Sequence, residues 1–187
     1  SMMKIKFGII GAGVLAPLHA KAIQSNPRAM LVGIADIDHQ KADKLAKEYD
    51  IEKVFTDYED LLLEPVDVVC ICVPSGLHSA IAVRCAAMGK HVLTEKPLDI
   101  TFDHMDKMII ACRNAGVKLG TVFQRRTLPH VLAAKKVLDT GGIGQLMMIQ
   151  AYLKYFRSDD YYARAGWRGK WELDGGGALM NQGAGDC

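Results

Sequence analysis

The stretch IKFGIIGAGVLA, residues 5–16, constrains the fold of this chain more than any other. An apolar run of strand length leads into Gly11-x-Gly13-x-x-Ala16, and helix-compatible sequence continues to Asn26-Pro27, where proline forbids another turn. Each small residue has a physical role in such a strand–turn–helix unit. Gly11 permits the tight turn, Gly13 lets the backbone approach a pyrophosphate, and Ala16 lets the helix lie close on the sheet. The backbone of Gly11, Ala12, Gly13, Val14 and Leu15 is the expected cradle, with the positive end of a helix dipole behind it.

The same rhythm repeats along the chain. Short apolar runs at 5–10, 30–35, 53–55, 66–73, 91–94 and 117–122 alternate with helix-period stretches at 14–25, 38–49, 77–88 and 101–115. Asp38 and Thr101 are placed to cap two of these helices. Ala42, Leu45, Ala46 and Tyr49 make one buried stripe, and Met105, Met108, Ile109 and Cys112 make another. Alternation of this kind predicts an α/β fold, a Rossmann-type doubly wound parallel sheet over residues 1–122, because right-handed crossovers lay helices on both sheet faces.

In that fold ligands bind at the carboxyl ends of the strands. Asp36 ends the second strand 20 residues after Ala16, where its carboxylate would accept hydrogen bonds from an adenosine ribose and repel a 2′-phosphate. NAD is therefore the expected cofactor. Pro74-Ser75-Gly76-Leu77-His78 follows the fourth strand, so Ser75 and the next helix start are candidates to line the cofactor. For His78, local satisfaction at a helix start and ligand contact remain equally open. The other histidines have no metal spacing, and no metal is expected. Glu95-Lys96-Pro97 follows the fifth strand. Pro97 fixes the turn, so Lys96 is either a solvated turn lysine or a group that binds a substrate hydroxyl and helps remove its proton.

Beyond residue 122 the pattern changes, and residues 123–187 read as a second, incomplete α/β domain. Leu128, Val131, Leu132 and Leu138 mark a helix ending at Thr140-Gly141-Gly142. A long strand is predicted over 145–157, and Asp174 is placed to cap a helix after the glycine triplet. One helix and one strand cannot bury a core of their own, so the strand should keep an unpaired edge and favour homo-oligomers.

Composition sets outer bounds. Lys plus Arg number 23 against 21 Asp plus Glu, a formal net charge of +2 without a basic stripe, so nucleic acid is not an expected partner. No apolar run has the roughly 18–20 residues that cross a bilayer, and no signal peptide precedes the first strand, so no membrane partner is expected. Five cysteines without a CxxC pair suggest a reduced, cytoplasmic setting. Cys70 and Cys72 should share one buried strand face, while Cys187 should be the accessible thiol.

With GAGVLA, Asp36, the 74–78 loop, GKHVLTEKPL and Gln124-Arg125-Arg126 in order, the chain resembles the glucose–fructose oxidoreductase, inositol dehydrogenase and rhizopine catabolism family, GFO/IDH/MocA. The resemblance implies an NAD-dependent oxidoreductase that moves a hydride from a secondary alcohol of a sugar, cyclitol or nucleotide sugar to the nicotinamide. It implies that Lys96 is the catalytic lysine, that Glu95 and Lys96 sit near the nicotinamide ribose, and that Gln124 stands at the domain junction. The stretch YYARAGWRGKWELDGGGALMNQG is similar to members acting on nucleotide-linked amino-sugar uronates, which places Trp167 and Arg168 near the cofactor. The alternative for Trp167 and Trp171 is loop-anchoring core packing.

Family members present an Asp or Asn toward the substrate and a His four residues later. Here those positions are Asn181 and Gly185, and the sequence runs only to Cys187. An amide cannot take a proton and glycine offers no side chain, so impaired turnover is expected. The other reading is a non-catalytic NAD-binding fragment or pseudoenzyme.

Overall fold

The computed structural model describes residues 3–183. Six parallel strands form one sheet in the order β3-β2-β1-β4-β5-β6: β1 Ile5–Ile10, β2 Ala29–Ala35, β3 Lys53–Phe55, β4 Val68–Ile71, β5 His91–Thr94 and β6 Leu119–Thr121. The crossover helices are α1 Ala16–Ser25, α2 His39–Glu48, α3 Tyr58–Leu63, α4 His78–Ala87 and α5 Phe102–Asn114. Asp38 accepts from the Gln40 and Lys41 amides, and Thr101 accepts from the His104 amide, so both expected caps form.

Adjacent strand residues point to opposite sheet faces and feed two cores. Ile9, Ile34 and Cys70 pack with Ala16, Ala20, Ala42 and Leu45 beneath α1 and α2. Ile10, Ala35 and Ile71 pack with Leu61, Ile81, Cys85 and Met108 beneath α3, α4 and α5. Burial on both faces explains why these strands read as continuous apolar runs instead of alternating ones. Cys70 lies in the first core and Cys72 packs against it, as expected of residues sharing a face. Helix α3 was not expected from the sequence. Its six residues are too short for a clear period, yet Asp57 caps it and Leu61 and Leu62 are buried.

The second region departs further. Helix α6 Pro129–Asp139 forms, but none of its residues is buried. The strand expected over 145–157 is absent: these residues are almost all exposed and pair with no strand among the described residues. A strand is held by hydrogen bonds to a neighbour, and β-type sequence without that neighbour does not make a ladder. A short helix, α7 Asp159–Ala165, follows and closes on Gly166 in the left-handed conformation. Residues Leu179–Gly183 form a π-helical turn. Asp174 does not cap it. Its carboxylate accepts instead from the Gly169 amide at 2.8 Å and from Asn181 Nδ2 at 3.1 Å.

Neither buried cluster contains a residue beyond Leu119, so the later segment is held through its docking on the first domain. The Gly76 amide donates to the Leu173 carbonyl at 3.0 Å. Gly175 sits at φ +72° with Ile100 so close that a Cβ would meet it at 2.3 Å, and any side chain there would push the segment off.

Candidate active site

The sheet order reverses between β1 and β4, and the loops leaving these two strands converge there. Gly11 has φ +97°, and a Cβ on it would lie 2.5 Å from the Cys72 carbonyl oxygen. Only glycine allows the first loop to cross so close to the end of β4. The Gly11 amide donates to Ala35, which ties the turn to the end of β2. Asp36, the next residue, reaches back to the turn: Oδ2 accepts the Ala12 amide at 2.6 Å and Oδ1 accepts the Asp38 amide at 2.7 Å. The Ala12 N–H is thereby committed, while each carboxylate oxygen keeps a further lone pair for a diol. No side chain caps α1, and Gly13, Val14 and Leu15 in front of it are exposed. An uncapped helix start with an anchored carboxylate beside it suits a pyrophosphate and the ribose attached to it.

β5 delivers the second group of residues. Glu95 is only 8 % exposed, and His19 Nε2 lies 2.7 Å from its Oε1. Sequence reading missed His19, which is 76 residues away. A signal was present, because His19 falls among Ala16, Ala20 and Ile23 on the buried side of α1. The Lys96–Pro97 peptide is cis. His78 is 1 % exposed; Nε2 lies 3.0 Å from the Val73 carbonyl, and Nδ1 lies 3.0 Å from both the Pro97 carbonyl and the Thr94 hydroxyl. Of the two readings of His78, the geometry favours local satisfaction: the ring ties the loop after β4 to the turn after β5. Ser75 is also buried, at the start of the short turn Ser75–Leu77.

The third group arrives from the far end of the chain. Lys96 Nζ donates to the backbone carbonyl of Asn181. The Asn181 side chain is engaged with Asp174 and with Gln182 Nε2, at 3.0 Å, so its amide is oriented from both ends. Asp174, 6 % exposed, is the buried carboxylate that holds this arrangement, a role other than the helix cap expected of it. Gln124 is exposed and opens the turn Gln124–Thr127 directly after β6. Trp167 and Arg168 lie together, the guanidinium 5.6 Å from the indole ring. Trp171 is 80 % exposed, which rules out core packing for that residue. Gly185 and Cys187 lie outside the described residues.

The thiols below this edge are inert. Burial, followed by the charge of Glu95, pushes Cys70 up to about 12, and burial together with the Cys70 and Glu95 charges holds Cys72 well above the usual thiol range. Among the described residues no three His, Cys, Asp or Glu side chains converge as metal ligands. No helix among them is long and apolar enough to cross a membrane.

The arrangement therefore brings a glycine turn before an uncapped helix, an anchored carboxylate and a lysine to one edge of a parallel sheet. Comparison with known proteins bears on both regions of the chain. Residues 5–123 match the profile of the oxidoreductase family with an NAD-binding Rossmann fold, and residues 131–184 match the GFO/IDH/MocA C-terminal domain. Inositol 2-dehydrogenase of Rhizobium meliloti is 33 % identical over 147 residues, which are 79 % of this chain and 44 % of that protein. The WlbA dehydrogenase from Bordetella pertussis, solved in complex with NADH and UDP-GlcNAcA, superposes with a TM-score of 0.93 at 35 % identity, covering 98 % of this chain and 56 % of that one. Myo-inositol 2-dehydrogenase from Lactobacillus plantarum superposes with a TM-score of 0.72 at 26 % identity, covering 77 % of this chain and 43 % of that one. The chain thus spans about half the length of these relatives. Fold, glycine turn and both matched segments agree, and the chain belongs to the GFO/IDH/MocA family of oxidoreductases.

Proposed function

We propose that this chain carries the cofactor half of an NAD-dependent dehydrogenase that oxidises a secondary alcohol of a sugar, cyclitol or nucleotide sugar. The observation that carries this reading is the convergence of the Gly11–Leu15 loop, Asp36 and Lys96 at the point where the sheet order reverses. When bound, the nicotinamide supplies the two-electron acceptor, taking the hydride from the carbinol carbon. Lys96, as the free amine, takes the hydroxyl proton and becomes an ammonium, leaving a ketone. Asn181 fixes the lysine through its carbonyl, and Asp174 fixes Asn181. Asp36 favours NAD over its 2′-phosphorylated form, because a dianionic phosphate beside this carboxylate would be repelled.

A nucleotide sugar is the preferred substrate class within this reading. The likeness to the protein solved with UDP-GlcNAcA extends over 98 % of the chain, whereas the likeness to the inositol enzyme of solved structure stops at 77 %. Residues 123–187 are assigned to substrate binding and oligomerisation. The free cysteines Cys70, Cys72, Cys85 and Cys112 suit a reducing cytoplasm.

A second reading, NAD binding without turnover, is favoured by the Asn181 side chain being committed to Asp174 and Gln182 and by glycine at position 185. Calorimetry with NAD and NADP, followed by an NADH-formation assay with sugars and nucleotide sugars, separates the two. NAD binding at least about tenfold tighter than NADP, lost in Asp36→Ala, is expected. Absence of NAD binding at millimolar concentration defeats both readings; binding without NADH formation leaves the second.

A further inference from the structure

The His19–Glu95 pair brings a nearly buried charge to the centre of the cofactor edge. Glu95 directly follows Thr94, the last residue of β5, and directly precedes Lys96. His19 stands at the end of the first turn of α1, the helix that the glycine turn opens. The two side chains are 10 % and 11 % exposed and meet at 2.7 Å, so salt screens them far less than it screens a surface pair. Two further contacts fix where the carboxylate sits. Its charge is felt at the Cys72 thiol, and the Cys72 carbonyl oxygen lies 2.5 Å from where a Cβ on Gly11 would stand. Glu95 is therefore beneath the point where the first loop crosses the end of β4, between the glycine turn and the lysine.

The ionisable groups around the pair leave it in control of the local charge. On α1 these are His19 and Lys21, and Lys21 is exposed. β4 and the residue after it bring Cys70 and Cys72, both held protonated first of all by burial. The turn after β5 brings Lys96, which donates to the Asn181 carbonyl, and the loop after β4 brings His78, whose ring nitrogens face the Val73 and Pro97 carbonyls. Asp36, on the other side of the glycine turn, accepts from the Ala12 and Asp38 amides. With neutral His19 donating from Nε2, the pair carries one negative charge; with His19 protonated, it carries none. Histidine is the side chain whose charge ordinarily changes between about pH 5 and 8. The oxidised nicotinamide ring bears a positive charge that the reduced ring lacks, so the two forms of the cofactor differ in what they gain from Glu95.

We infer that His19 and Glu95 set the preference of this site for oxidised over reduced cofactor: Glu95 is the counter-charge to the nicotinamide cation, and His19 cancels that charge when it takes a proton. This rests on the dehydrogenase reading above and adds a regulated step to it, since the oxidised form is held more tightly than the reduced form only while His19 is neutral.

The test is calorimetric titration of the full chain with NAD and with NADH between about pH 6 and about pH 8.5, a window that spans the ordinary histidine titration. The quantity read is the ratio of the two dissociation constants, in which contacts to the adenosine half cancel. In the native chain the preference for NAD should rise by about fivefold to tenfold across the window, the effect of one charge acting at short range in a partly screened site. His19→Gln keeps a donor for Glu95 but takes no proton, and should hold the high preference at every pH. Glu95→Gln removes the counter-charge, and at the upper pH should show a preference no greater than the native chain has at the lower. In Lys96→Met the pH dependence should persist, because the lysine is not its source. Thermal unfolding of each variant reports folding; if His19→Gln does not fold, the native profile and Glu95→Gln decide. A native ratio that is constant with pH overturns the inference, and so does a pH dependence that survives in His19→Gln, which would assign it to Lys96 or His78. Binding of neither nucleotide by the native chain would defeat the dehydrogenase reading and this inference with it, whereas binding of both at one fixed ratio would defeat the inference alone.

Discussion

Glu95 keeps a carboxylate in a site nearly closed to water, and the imidazole of His19 is what meets it. A hydrogen bond to a charged group of this kind contributes about 1.5–3 kcal/mol, and removing the donor leaves the acceptor's desolvation uncompensated. His19→Ala is expected to lower the unfolding midpoint by about 5–10 °C, at the roughly 2–4 °C per kcal/mol typical of a chain this size. His19→Gln, which can still donate, should lose less than half of that. Adding Glu95→Gln to His19→Ala should recover part of the loss, because the stranded charge is then gone. Calorimetric scanning of the four proteins checks this, and equal midpoints for the native and His19→Ala chains would refute it. The places of Asp36 and Lys96 at the ends of β2 and β5 were readable because each directly follows an apolar strand run, beside a glycine turn or a proline. His19 and Asp174 were not, since their roles depend on Glu95 and Asn181, 76 and 7 residues away in sequence.

At the scale of elements, β4 and the helix α4 beside its end hold the thiols whose ionisation is most opposed. Burial pushes Cys70 and Cys85 up to about 12 from an ordinary value of 9.0, and Cys72 is raised as well. Each of these groups is protonated in the folded chain and ionises near 9 in the unfolded one. Their contribution to stability is complete below about pH 9 and declines as pH rises toward the folded values, at up to about 1.4 kcal/mol per thiol per pH unit. The unfolding midpoint should therefore fall by on the order of 10 °C between pH 8.5 and pH 10. A Cys70→Ala/Cys85→Ala variant should show a smaller fall, and an identical pH dependence would refute the assignment.

The same scale shows where sequence pattern carries structure. The central strands β1, β2 and β4 were legible because a buried parallel strand is a largely apolar run, and α2 and α5 because capping residues precede periodic stripes. The 145–157 segment misled because its β-type residues specify a strand only when a neighbour supplies the ladder. Helices α3 and α7, of 6 and 7 residues, are shorter than two turns and carry too little period to be read.

At the scale of the whole molecule, apolar surface is unevenly distributed. The first domain has two buried cores, whereas Leu132, Val137 and Leu138 on α6 and Met147, Met148, Ile149, Tyr152 and Phe156 after it are all exposed and join neither core. Exposed apolar side chains in this number are unfavourable in water, with each large side chain worth about 1.5–3 kcal/mol when fully buried. A second copy of the chain presents the same patch, and an isologous contact buries both at once. Self-association is therefore expected, with sedimentation coefficients rising over about 1–100 μM, a range set by the modest affinity of small apolar interfaces. Ile149→Lys combined with Phe156→Lys should shift the population toward monomer. NAD affinity should be unchanged in that variant, because the Gly11–Leu15 loop and Asp36 lie in the first domain, whose cores include no residue of the patch. A native chain that sediments as a monomer across the whole range would overturn the expectation. An equal fall in NAD affinity would instead mean that the patch belongs to the cofactor cleft.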